Sequence, residues 1–138
     1  MIKIKYNINL MKFISIFETI TRAQVKDCFE IGERLVFVVK EGNIGKALGK
    51  EGSNVKRLEN VLKKKLRIIE FNPDLIQFVK NVVFPSKVKN IVEENKIIII
   101  TPPDSETRGY LIGRGAVNLN YTKDIVKRYF EITDIKVI

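Results

Sequence analysis

Residues 43–52, which read NIGKALGKEG, decide the fold of this chain. They lie between a strand-like hydrophobic run, residues 35–39, and a segment with the apolar spacing of an amphipathic helix. Three glycines at such a junction predict a tight turn whose main chain a ligand can approach closely. Loops of this kind often bind phosphate groups, and the spacing of the glycines distinguishes one type of loop from another.

Two common phosphate-binding motifs do not fit this spacing. A P-loop needs a glycine, four residues and then Gly-Lys-Ser or Gly-Lys-Thr, and no register here supplies it. A dinucleotide-binding fingerprint needs G-x-G-x-x-G, a spacing that Gly45, Gly49 and Gly52 do not have. The pattern that fits is I-G-x-x-x-G-x-x-G, which is typical of a KH module. In that module the final G-x-x-G is a turn between two helices that clamps about four nucleotides of single-stranded RNA.

The residue types of the turn suit a polynucleotide backbone. Gly49 and Gly52 have no Cβ, so the turn can be sharp and a sugar-phosphate chain can lie against it. Lys50 can make a charge-assisted hydrogen bond to a phosphate, and the N–H groups that open the next helix favour the same anion. Ile44 and Leu48 would form an apolar floor for bases. The cations that flank the turn are Lys46, Lys56 and Arg57.

A G-x-x-G pattern alone can also mark a helix that ends in glycine and is followed by a new helix. The duplication of the chain favours the KH interpretation, because the sequence repeats at a shift of 63 to 65 residues. An apolar stripe with helical spacing starts at Leu10 and again at Leu75, and strand-like runs follow at residues 35–39 and 97–100. The repeated glycines are Gly45 with Gly109 and Gly49 with Gly113.

The repeat predicts an α+β fold of two units, residues 1–72 and 73–138. Each unit has the predicted order helix, strand, strand, helix, glycine turn, helix, strand, with the helices on one face of a three-stranded sheet. Asn72 is the predicted cap, and Pro73 the first residue, of the helix that opens the second unit. The residues of the helix after the first turn that we expect to face inward are Val55, Leu58, Val61 and Leu62.

The second turn, residues 113–116, reads GRGA and departs from the pattern at its last position. Alanine is tolerated at position 116 if the backbone there has ordinary helical angles, although its methyl group narrows the approach. Arg114 can replace Lys50 as the phosphate contact. Asn118 matches Asn54 at the start of the following helix, where either side chain could cap locally or contact a base. We expect the first turn to bind RNA well and the second to bind weakly or only to position the strand.

The positive charge is concentrated around the two turns. The net charge is +9, of which residues 40–67 contribute +6 and residues 108–128 contribute +4, while the rest of the chain carries −1. Two separate basic clusters are typical of a surface that neutralises phosphates. Lysine-rich surfaces also occur in proteins that are merely soluble, so the charge supports nucleic-acid binding without establishing it.

The composition argues against an enzyme. The chain has no histidine, which is the commonest general base and metal ligand, and its carboxylates are scattered. We expect no cofactor, metal or small-molecule substrate. Cys28 is the one cysteine, which excludes an internal disulfide and is typical of the cytoplasm. No apolar run is long enough for a membrane span, and Asn7 and Asn9 interrupt any signal-peptide core.

Residues 44–71, IGKALGKEGSNVKRLENVLKKKLRIIEF, closely resemble the first KH module of the NusA family of transcription termination factors. Residues 25–29, VKDCF, and the strand after them also resemble that module, and the likeness extends over the second copy. The resemblance implies tandem type II KH domains that contact nascent RNA and act in termination or antitermination. Bacterial members carry a polymerase-binding domain and an S1 domain as well. Because the two units occupy the given chain, we expect the short archaeal NusA-like form.

The expected partners are single-stranded RNA and, through the resemblance, RNA polymerase or other transcription machinery. A KH protein of ribosome assembly or RNA processing is the alternative function, since it would share the groove and differ only in its RNA client. A scaffold with a groove that binds no RNA is a further alternative. The candidate RNA-binding residues are Ile44, Gly45, Lys46, Gly49, Lys50, Glu51, Gly52, Asn54, Lys56 and Arg57 in the first unit, and Gly113, Arg114, Gly115 and Asn118 in the second.

Overall fold

The computed structural model describes residues 8–138, and the chain divides into two compact units, Met1–Phe71 and Asn72–Ile138. Within the described residues each unit is α+β, with a three-stranded sheet and three helices, as predicted. Residues 1–7, on which the expectation about a signal peptide partly rests, lie outside this range. No helix between residues 8 and 138 is long and apolar enough to cross a membrane.

The first unit follows the predicted order of elements. A 3₁₀ turn, Lys50–Gly52, joins its second and third helices at the predicted glycine turn. The elements are helix α1 (Ile8–Thr21), strands β1 (Val25–Ile31) and β2 (Arg34–Val39), helices α2 (Ile44–Leu48) and α3 (Ser53–Leu62), and strand β3 (Lys65–Glu70).

Strand β2 is the centre of the first sheet and pairs antiparallel with β1 and parallel with β3. A parallel pair needs a crossover, and α2, the 3₁₀ turn and α3 form that crossover. Leu35, Phe37 and Val39 alternate along β2 and share one core with the helices. The ring of Phe37 stacks on that of Phe17 from α1, with 4.2 Å between the ring centroids. Every residue of β2 after Arg34 is buried, and Leu35, Phe37 and Val39 are those on the face that packs against the helices.

The two helices that flank the turn are anchored in this core by one small and one large residue. Ala47 of α2 and Leu58 of α3 are both completely buried. An alanine at the contact lets α2 lie close to the sheet, whereas Leu58 fills the space beneath α3. The turn between them is therefore held at both ends by buried side chains.

The second unit repeats this architecture. Strand β5 is central, antiparallel to β4 and parallel to β6. Ile98 and Ile100 of β5 are buried, and the ring of Phe78 from the first helix contacts Tyr129 and Phe130. The elements are α4 (Leu75–Val83), β4 (Asn90–Glu94), β5 (Ile97–Thr101), α5 (Ser105–Ile112), a second 3₁₀ turn (Arg114–Ala116), α6 (Val117–Tyr129) and β6 (Asp134–Val137).

Three local predictions were wrong. Asp74, and not Asn72, caps helix α4, because the Asp74 carboxylate accepts from the Gln77 N–H at 2.9 Å. Pro73 therefore precedes the cap, and the first residue of α4 is Leu75. Asn72 instead accepts from the Asp74 N–H, which forms a turn that presents the capping residue. Val61 is 51% exposed. It lies about 100° around α3 from Leu62, at the edge of the buried stripe, and α3 ends one residue after it.

Candidate nucleic-acid interface

The first turn is an abrupt change of direction between α2 and α3. Helix α2 ends at Gly49, whose φ and ψ are 71° and 177°, and α3 begins after Gly52, at 72° and 19°. Between them Glu51 has the left-handed angles 56° and 31°. The Gly49 N–H donates to the Gly45 carbonyl at 3.0 Å, and the Gly52 N–H donates to the Gly49 carbonyl at 3.3 Å. Three residues with positive φ thus reverse the chain within four positions.

Gly49 and Gly52 are required for different reasons. The angles of Gly49 belong to a region that only glycine populates, and a Cβ added there would lie 2.8 Å from the Asn54 side chain. Gly52 has left-handed angles, but a Cβ added there would meet nothing within 4 Å. The backbone and its neighbours therefore demand glycine at 49, whereas position 52 is strained for other residues and open to space.

The second turn has the same backbone as the first. Gly113 has φ and ψ of 75° and 171°, Gly115 has 62° and 25°, and Ala116 has 61° and 24°. Alanine was expected to be tolerated at position 116 only if the backbone there had ordinary helical angles. The observed angles are left-handed, so this condition is not met. A non-glycine residue in the left-handed region costs about 1–2 kcal/mol. The second unit thus carries its strain at the fourth position of the turn, where the first unit has glycine.

Asn54 and Asn118 close the two turns in the same way. The Asn54 Nδ2 donates to the Lys46 carbonyl at 2.9 Å, and the Asn118 Nδ2 donates to the Tyr110 carbonyl at 2.7 Å. Neither side chain caps its helix, because the cap positions are Gly52 and Ala116 and carry no side-chain cap hydrogen bond. The suggestion of local capping was wrong. Each asparagine instead ties the start of the third helix to the preceding helix.

The basic side chains of the first turn face solvent. Lys46 on α2, Lys50 in the turn, and Lys56 and Arg57 on α3 are all exposed. Glu51 is exposed as well, so the turn presents one carboxylate among four cations. A Cβ added at Gly45 would also meet no atom within 4 Å. The described residues therefore leave the main chain of the first turn open rather than covered.

Ile44 of α2 is less available than expected for the floor of a groove, whereas Leu48 is half-buried. Ile44 is half-buried as well, and it packs against the core of the first unit. Its N–H donates to the Glu70 carboxylate at 3.2 Å, and the Gly42 N–H donates to the same oxygen at 3.0 Å. Glu70 on β3 thus fixes the entry into α2. Nothing in the sequence pattern indicated this contact, because Glu70 lies 26 residues beyond Ile44.

The second turn is surrounded by a different set of side chains. Arg108 and Arg114 are exposed, but the Lys123 Nζ lies 2.8 Å from Asp134 on β6. That ion pair reduces the positive charge that the sequence assigned to this region. Tyr110 is 62% exposed on α5, at the place that Lys46 occupies in the first unit. Sequence reasoning missed Tyr110, although the repeat aligns the two positions.

Cys28 has no reactive character. It is 1% exposed on β1, and burial, with smaller contributions from Asp27 and Glu30, raises the pKa of its thiol to about 12. The thiol is therefore protonated at neutral pH, and it is the thiolate that reacts. Cys28 is thus a small core residue.

Comparisons with known proteins agree with this geometry. A family profile described as "KH domain" matches residues 13–97. The probable transcription termination protein NusA of Methanococcus vannielii is 36% identical over 139 residues, which cover 99% of this chain and 80% of that protein. The protein of the same name from Methanocaldococcus jannaschii is 33% identical, covering 100% and 77%. The crystal structure of APE1850 superimposes with a TM-score of 0.75 at 27% identity, covering 96% of this chain and 100% of that one.

Proposed function

This chain belongs to the archaeal NusA family of KH-domain proteins, and from that premise we propose that it acts in transcription termination by binding single-stranded RNA. The relatives are named as termination proteins and not as enzymes, so the proposed activity is binding. The same names do not favour the alternative client, RNA of ribosome assembly or processing. Contact with RNA polymerase is part of the proposal, since a termination factor must influence the elongating complex.

We propose further that residues 1–72 and 73–138 are tandem type II KH domains. The family profile begins at residue 13, within α1, and ends at residue 97. It therefore covers most of the first unit but only the beginning of the second. Support for a second KH domain is the identical order of elements, the same strand order in both sheets and the same angles at both turns. Each unit would then carry one turn that can hold RNA.

In the proposed complex the RNA backbone lies over the first turn. Gly52 offers open main chain to a sugar-phosphate unit, and Lys50 supplies a charge-assisted hydrogen bond to the phosphate. The positive dipole end of the ten-residue helix α3 favours the same anion. The flanking cations that would contact neighbouring phosphates are Lys46, Lys56 and Arg57.

One observation carries this proposal: the first turn is positive and its main chain is uncovered. A G-x-x-G sequence that merely joined two helices could pack its glycines against the protein. Here only Gly49 packs in that way, while Gly45 and Gly52 face empty space and Lys50 is exposed. The left-handed angles of Gly52 favour glycine by themselves, but the main chain at Gly45 and Gly52 is open among the described residues, which leaves room for an external ligand beside Lys50.

The test replaces Lys50 and Glu51 with aspartate and leaves both glycines in place. We expect an intact fold by circular dichroism and at least a tenfold loss of affinity for poly(U), because a hydrogen bond to a charged group contributes about 1.5–3 kcal/mol. The dependence of log K on log salt should lose about one unit of slope for each lost phosphate contact.

The matched control replaces Lys87 and Glu93, which are exposed and lie outside both turns, with aspartate. Both double variants change the net charge by the same amount, so a loss of binding that is confined to the first identifies the turn. Equal affinities of the two variants for poly(U) would show that the turn is only structural. A termination assay with archaeal polymerase then tests whether the variant that has lost RNA binding also loses its effect on termination.

A further inference from the structure

The second turn has an aromatic side chain where the first has a lysine. Tyr110 lies on α5, and its carbonyl accepts the hydrogen bond from Asn118 just as the Lys46 carbonyl accepts that from Asn54. The two positions are therefore equivalent in the two units. Tyr110 is 62% exposed, and within residues 8–138 its side chain has no hydrogen bond or ring contact. An aromatic ring in that setting contributes little to the packing of its own unit.

The surroundings of Tyr110 are those of an RNA-binding surface. Tyr110 lies one helical turn before Gly113, at the spacing that places two residues on the same helix face. Arg108 and Arg114 are exposed on either side of it in sequence. A Cβ added at Gly109, the neighbour of Tyr110, would meet no atom within 4 Å. The ring thus stands beside open main chain, and the exposed Arg114 follows it at the turn.

We propose that Tyr110 stacks on a nucleobase of single-stranded RNA and that Arg114 contacts the adjacent phosphate. This inference rests on the proposed function, because it needs RNA at the second turn. Aromatic rings bind single strands by stacking, which tolerates any base since every base has a π face. The cationic flanks favour a polyanion over an apolar protein segment as the occupant.

The proposal assigns different modes of binding to the two turns. The first turn, with Lys46, binds chiefly through charge, and its contribution falls steeply as salt rises. The second turn, with Tyr110 at the same place, binds partly through stacking, and that part depends little on salt. Stacking on Tyr110 also compensates for the narrower approach at Ala116, whose methyl group lies where the first turn has Gly52 and open space. Binding at the second turn should therefore be lost less steeply with salt than binding at the first.

The experiment compares Tyr110→Ala, Tyr110→Phe and Phe84→Ala. Phe84 is 63% exposed and lies outside both turns, so it controls for the loss of an exposed aromatic ring. The probes are poly(U) and a strand of the same backbone that carries abasic riboses. We expect Tyr110→Ala to weaken poly(U) binding about tenfold, a typical effect of losing one stacked base. Tyr110→Phe and Phe84→Ala should bind as the wild type does.

The abasic strand separates stacking from charge. Tyr110→Ala should bind it as tightly as the wild type does, with an unchanged salt slope, whereas Lys50→Asp with Glu51→Asp should lose affinity for both strands. Unchanged binding of poly(U) by Tyr110→Ala, with loss in the Lys50 variant, would overturn this inference and leave the proposed function standing. Unchanged RNA affinity with lost activity in the termination assay would also overturn it, because Tyr110 would then contact a protein.

Discussion

The two turns have one backbone and two sequences. Both begin with glycine at angles that only glycine adopts, and both place their third and fourth residues in the left-handed region. The first turn fills those two positions with glutamate and glycine, and the second fills them with glycine and alanine. Each turn thus has one relaxed and one strained left-handed residue, in opposite order. The backbone requires the first glycine, and it tolerates an exchange between the other two positions.

This comparison explains why a pattern search undervalues the second turn. The G-x-x-G pattern scores the fourth position, where Ala116 fails, and ignores the third, where Gly115 gains what Ala116 loses. The shared asparagine is a better indicator, because Asn54 and Asn118 make the same hydrogen bond across both turns. Sequence divergence at the turn therefore changes what the surface offers to a ligand more than it changes the path of the chain.

The largest effect should come from the first glycine of each turn. Gly49→Ala should lower the free energy of unfolding by about 3 kcal/mol, because its angles exclude a Cβ. Gly113→Ala should cost more. A Cβ at 113 would lie 2.9 Å from the backbone nitrogen of Asn118, whereas the contacts at 49 are all with side chains that can move.

Urea denaturation of the two variants measures this order, and Gly45→Ala is the control. Gly45 is helical, and a Cβ there meets nothing within 4 Å, so alanine should stabilise the protein by about 0.5–1 kcal/mol. If Gly49→Ala proved more damaging than Gly113→Ala, the contact with the backbone nitrogen of Asn118 would not be what sets the cost at position 113.

A smaller effect should come from exchanging residues at the fourth position. Ala116→Gly should stabilise the second unit, and Gly52→Ala should destabilise the first, each by about 1 kcal/mol. Both changes alter only backbone strain, since a Cβ at Gly52 has no neighbour within 4 Å. Equal and opposite shifts of the urea midpoint are expected. Shifts of the same sign would mean that the left-handed angles at the two positions are not equivalent.

The smallest effect should be a loss of stability of the second unit at acid pH. Asp104 caps α5, and the hydrogen bond from the Thr107 N–H lowers the pKa of its carboxyl. The Lys123 side chain lowers that of Asp134. Because both folded-state pKa values lie below the ordinary 3.8, this stabilisation is present above that pH and is lost as the pH falls through the lowered values.

Amide hydrogen exchange at about pH 5 and about pH 3 would locate the loss along the chain. We expect α5 and β6 to lose protection on acidification. Asp104→Asn is the control, since asparagine can still cap the helix but does not titrate. Protection of α5 that falls equally in the wild type and in Asp104→Asn would contradict this account.

Much of the fold was predictable because it follows from periodicity. The helical spacing after Leu10 and the continuous apolar run of residues 35–39 are local signals, and the predicted helix and strand agree with the structure. The choice of Asn72 as a cap failed because Asp74, two residues on, competes for the same role and wins by its geometry. The inward placement of Val61 failed because this residue lies about 100° around α3 from the buried Leu62, at the edge of the buried stripe.

A residue of the site was predictable only where its own chemistry indicates its position, and not where its role depends on a contact with a distant residue. The exposed position of Lys50 agrees with its charge, whereas the role of Asn54 depends on a carbonyl eight residues away. Lys123 of the second basic cluster forms an ion pair with Asp134 on β6. The charge count over residues 108–128 does not include Asp134, so it could not predict this pair. That Tyr110 replaces Lys46 is visible in the aligned repeat, but its significance requires knowing that the ring is exposed.

The hydrogen bonds of Asn54 and Asn118 bear on how quickly RNA is captured. Because each amide holds its turn in shape without a ligand, little chain ordering has to accompany binding. Association would then be limited by diffusion and by the attraction between lysines and phosphates, and the lifetime of the complex would be set by the contacts made afterwards. A protein that must catch a transcript while it is being extended benefits from a binding loop that is ready before the RNA arrives.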